Sequence, residues 1–95
     1  MYIRVRTITA SNEIQLNMWL ENFKNVHGPF ILQSGALKVS VSKIDKNKAI
    51  VIVYLPDKEL ANKLQKSFNS SILQMKEFLK IDEVEGEVIF NIDKE

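Results

Sequence analysis

Apolar and polar positions along this chain switch between a period of two and a period near 3.6, and the switches mark out its elements. Residues 2–9 alternate as a strand: Ile3, Val5 and Thr7 fall on one face, Tyr2, Arg4, Arg6 and Ile8 on the other. The two arginines are expected on the wet face of a half-buried strand. From Ser11 or Asn12, both good helix caps, the spacing turns helical. Leu16, Trp19, Leu20, Phe23 and Val26 form the stripe, Ile14 and Met18 lie on its flank, and Trp19 reads as a core anchor. His27-Gly28-Pro29 reads as the stop of that helix, by a glycine cap and a proline that cannot continue it. Phe30 to Gly35 fits a packed loop or a short strand.

Leu37, Val39 and Val41 alternate with Lys38, Ser40 and Ser42, which predicts a second half-buried strand. Asp45 to Lys48 is a polar turn, and Ala49 to Leu55 is apolar at every position. These two runs predict a hairpin whose second strand is covered on both faces, or is central in a sheet whose second face meets another subunit. The spacing then predicts a long helix over Asp57 to Ile81, with Leu60, Leu64, Phe68, Ile72, Met75 and Leu79 on one face. An acidic turn at 82–86 leads to a last strand, Val84 to Ile92, on the alternation of Val88, Phe90 and Ile92. The order β-α-β-β-α-β predicts one α+β domain over residues 1–95, a ferredoxin-like split β-α-β. Its four-stranded antiparallel sheet, in the order 4-1-3-2, carries two helices on one face.

Composition narrows the chemistry. With 95 residues, 45% of them apolar, the chain can bury an adequate core without staples. It has no cysteine, which excludes disulfides, a thiol nucleophile and cysteine-held metals. The three glycines are isolated, so no phosphate-cradling loop is present. One histidine and scattered carboxylates offer no metal-ligand spacing, and no serine has a base in motif spacing. The expectation is therefore no catalytic residue, no cofactor, no metal, no small-molecule substrate, and not an enzyme. No secretory pattern opens the chain and no apolar run could span a membrane, so a cytoplasmic protein is expected.

The net charge of +1 hides an asymmetry: residues 1–80 hold 12 basic and 6 acidic side chains, residues 81–95 hold 1 and 6. A basic body could meet RNA or DNA phosphates through Arg4, Arg6, Lys38 and Lys48, as in a small module of KH- or RRM-like topology. The aromatic base-stacking signature of an RRM is missing.

One stretch resembles a known family. Leu37 to Ile81, with Leu64-Gln65-Lys66-Ser67-Phe68-Asn69-Ser70-Ser71-Ile72 at its centre, resembles the small dimerising subunit of the KEOPS complex. That assembly makes threonylcarbamoyladenosine in transfer RNA. Gln65 stands where that family has arginine. The resemblance implies a non-catalytic subunit that dimerises or docks in a larger assembly, with Asn69, Ser70, Leu73 and Glu77 of the long helix against the partner. The two-sided apolar strand at 49–55 points the same way, to a protein partner or a second copy.

Overall fold

The computed structural model describes residues 1–94, with the side chains of 68–73 left out of the description. Strand β1 (Tyr2–Thr9) is followed by a three-part helix, then β2 (Lys38–Asp45), β3 (Lys48–Leu55), the long helix and β4 (Lys80–Glu87). The sheet is antiparallel throughout, in the order β2-β3-β1-β4, which is the predicted ferredoxin-like order. The helices cover one of its faces.

That covered face is not the one the alternation of β1 suggested. Tyr2, Arg4 and Ile8 are buried under the helices, whereas Ile3, Val5 and Thr7 lie on the open face. In register with them on the covered side stand Ala49, Val51, Val53 and Leu55 of β3, all buried. Ile50, Ile52 and Tyr54 take the other side, next to Ile3 and Val5. The expectation of a β3 that is apolar on both faces holds, and its second face is left without a helix layer.

The first helical segment departs from the prediction. Asn12 caps it, its Oδ1 accepting from the Gln15 N–H at 2.9 Å. The helix α1 (Glu13–Asn22) does not stop at Gly28-Pro29. It widens into a π turn (Phe23–His27) and continues as α2 (Gly28–Gln33), where a loop or strand was expected. Proline lacks an N–H and its ring crowds the carbonyl four residues back, so an α-helix would break there. The wider turn accommodates it, with the Gly28 N–H donating to the Phe23 carbonyl five residues earlier. Val26, expected in the stripe, is exposed as a result.

The long helix α3 (Lys58–Met75) is capped by Asp57, whose Oδ1 accepts from the Leu60 N–H at 2.9 Å. It ends six residues before the predicted Ile81, and the last strand begins at Lys80 rather than Val84. Cross-strand charge sets that register: Arg4 faces Glu85 and Arg6 faces Glu83. The acidic run read as a turn is thus the edge strand, and residues 88–94 run on beyond the sheet.

Candidate functional site

Arg4 is the one buried charged residue among those described, 5% exposed. Its Nη2 lies 2.9 Å from a Glu85 carboxylate oxygen, and its Nε donates to Glu85 at 2.9 Å with Glu83 at 3.4 Å. Arg6 donates from Nε to Glu83 at 2.7 Å and from Nη2 to the Gln65 side chain of α3 at 3.0 Å. Tyr2 extends the network, its hydroxyl donating to Glu85 at 2.8 Å. That bond holds Glu85 below its ordinary 4.5, with Arg4 adding to the effect and burial opposing it. The same bond, with burial and the neighbouring carboxylate charge, raises Tyr2 above 10.0. Two cations and two anions thus form a neutral, ion-paired floor between sheet and helices.

Over this floor lies a cavity of about 40 Å³. Ile8, Val51 and Val53 continue its floor, and Trp19, Phe23, His27 and Ile31 form its helical wall, with Met75 and Ile81 completing it. The four wall residues are spaced four apart. In a regular α-helix each step of four turns about 40° past a full circle, so three steps would carry Ile31 roughly 120° away from Trp19. The π turn takes up the excess and keeps all four on one face. Their rings stack in sequence: Trp19 on Phe23 at 5.2 Å between centroids, Phe23 on His27 at 6.5 Å. Phe23 and Ile31 are buried, while Trp19, His27, Met75 and Ile81 are half-exposed and form the mouth.

The side chains expected to meet a nucleic acid do not form one surface. Arg4 and Arg6 point under the helices and are neutralised. Lys38 and Lys48 stand on the opposite face of the sheet, Lys38 with its Nζ 5.6 Å from the Tyr54 ring centroid. Of the expected partner-binding helix face, Asn69, Ser70 and Leu73 have side chains outside the described ones. Glu77 lies in the exposed turn after α3 rather than on its flank. Among the described residues no group of three or more acidic, histidine or cysteine side chains could hold a metal, and no helix is long and apolar enough to cross a membrane.

The chain adopts the ferredoxin-like fold. A dimeric ferredoxin-like protein from an uncultured marine organism superposes with a TM-score of 0.76 at 16% identity, covering 99% of this chain and 100% of that one. HapK from Hahella chejuensis gives 0.79 at 10% identity, with 100% and 99% covered. SnoaB from Streptomyces nogalater, a cofactor-independent oxygenase studied as an Asn-to-Ala variant, gives 0.73 at 9%, with 98% and 97% covered. No family model and no curated protein sequence matches the chain.

These neighbours correct two expectations. The expectation of a non-catalytic subunit of KEOPS type, and with it that the chain is no enzyme, is overturned by SnoaB, an oxygenase that shares this fold. The nucleic-acid module fares no better, since its basic residues are split between two faces. The sequence reading missed the cavity wall, although Trp19, Phe23 and His27 at steps of four were there to be read as a ring ladder.

Proposed function

We propose that this chain is a small-molecule enzyme of the cofactor-independent oxygenase type, working in the cavity between sheet and helices. The observation that carries the reading is His27. The π turn brings the chain's single imidazole into a wall of aromatic and aliphatic side chains, above a floor that carries no net charge. An oxygenase without a cofactor takes its electrons from the substrate, so the substrate needs an acidic C–H or O–H whose loss leaves an electron-rich carbon. His27 accepts that proton as general base. The stacked rings and aliphatic wall exclude water and favour a flat, mostly apolar molecule. By the usual measure, 40 Å³ has room for roughly three waters, so the substrate enters by displacing the half-exposed Trp19 and Met75 side chains.

The open face of the sheet supports self-association beside this activity. Ile3, Val5, Ile50, Ile52, Tyr54 and Val84 share it without a helix to cover them, and one neighbour of the same fold is described as dimeric.

The test is oxygen uptake with a panel of hydroxylated bicyclic arenes and activated cyclic ketones. Turnover is expected with one or more of them, and His27→Gln should lower it by about a hundredfold or more while the fold is kept. No uptake across the panel, or uptake indifferent to His27→Gln, sinks the reading.

A further inference from the structure

Two apolar surfaces in this chain lack full cover, and they adjoin: Ile89 and Phe90 border a hollow that Ile3, Val5 and Val84 of the open sheet face also line. The first is the open sheet face. The second is the segment after β4, where Ile89, Phe90 and Ile92 are 95%, 76% and 77% exposed. Sheet pairing ends at Glu87, and the Val88 N–H donates to the Met1 carbonyl at 2.9 Å as the segment leaves the sheet. Three large apolar side chains exposed within four residues make a patch of the kind that marks an interaction site.

We infer that residues 88–92 form an arm that packs on the open sheet face of a second copy of this chain. The inference rests on the self-association reading and deepens it.

Area favours a second copy with the arm included. Four strands of eight residues make a face of about 19 by 26 Å, or roughly 500 Å² in projection. A stable pair covers about 800 Å² on each partner. Accessible surface exceeds its projection, so the face supplies a large part of that area, but its edges are polar at Ser40, Ser42 and Asp82, which leaves the apolar centre in want of further apolar cover. Exchange of two arms about a two-fold axis adds both copies of Ile89, Phe90 and Ile92 to the covered surface. Charge agrees as well. Asp93 follows the apolar part of the arm, and the open face carries Lys38 and Lys48.

Sedimentation equilibrium of the full chain, of a chain ending at Val88 and of a Phe90→Asp/Ile92→Asp variant tests the inference. The full chain should dimerise, and both altered chains should dimerise about tenfold or more weakly with unchanged far-UV spectra. Because the chain has no cysteine, Asn91→Cys takes a polarity-sensitive thiol dye at one place. Its emission should shift to the blue as concentration rises, with the midpoint of dimerisation. Dimers as tight without the arm overturn the arm and leave self-association standing. A dye already blue-shifted in dilute monomer shows the arm on its own sheet and also overturns it. A full chain that stays monomeric at high micromolar concentration overturns both.

Discussion

At the scale of residues, the Tyr2–Glu85–Arg4 network ties stability to pH at both ends. Glu85 titrates below its ordinary value in the folded chain, so its contribution is present above 4.5 and is lost as pH falls through the depressed value. Tyr2 titrates above 10.0, so its contribution is present below that and is lost as pH rises through the raised value. Tyr2→Phe should therefore remove the alkaline loss. It should also shrink the acid loss, because the Tyr2 hydroxyl is the first cause of the Glu85 shift. Thermal melts in acid, neutral and alkaline buffers, set against the parent chain, check both halves. A variant that keeps the full acid loss would place the shift with Arg4 instead. None of this network was legible from β1 alone. Alternation divides a strand into two faces without saying which is wet, and two arginines argue for water. They lie inside because Glu83 and Glu85, some 80 residues later, stand opposite and neutralise them.

At the scale of elements, the π turn is where sequence reading failed and where the site is made. Gly28-Pro29 is a sound stop signal, yet the chain stays helical because a wider turn tolerates the proline. Gly28 is needed there for space. A Cβ at that position would meet the Phe23 carbonyl at 3.1 Å and its ring at 3.4 Å. Gly28→Ala should cost about 1–3 kcal/mol, the range for overpacking, despite the better helix propensity of alanine. It should also tilt the Phe23 ring and change Trp19 emission. Denaturant unfolding followed by that fluorescence reads both effects; a more stable chain with unaltered emission would mean that the turn has slack. β1 and β2 were legible from their period of two, and β3 from an apolar run bounded by a polar turn and a proline. The end of α3 was not, because Leu79 and Ile81 fit a helical stripe as well as they fit a turn and a strand. The choice fell to the pairing of β4 with β1.

At the scale of the whole molecule, net charge misleads. A basic body of 80 residues suggested an anionic polymer as partner, but folding brings the acidic C-terminal part onto the basic N-terminal strand and cancels much of it. Fluorescence anisotropy with single-stranded RNA or transfer RNA at low salt should show no saturable binding. Lys38→Ala and Lys48→Ala should change nothing. A steep salt-dependent affinity would contradict this. The fold class was legible in full, since the order of elements suffices for it. The cavity was legible only in part: the rings at steps of four stand in the sequence, but the turn type that aligns them on one face leaves no propensity signal. The pairing that neutralises the floor also has a consequence in time. The strand at the centre of the sheet is made first, and its neighbour β4 is made last, so Tyr2 waits for Glu87. Closing a loop that long comes before any of its contacts form, and chains with such distant pairings fold slowly. Until then Arg4 and Arg6 stay hydrated, and the cavity floor is incomplete. The cavity is therefore completed in one late step, when β4 docks, and a chain cut short before it should carry the helices without the ion-paired floor.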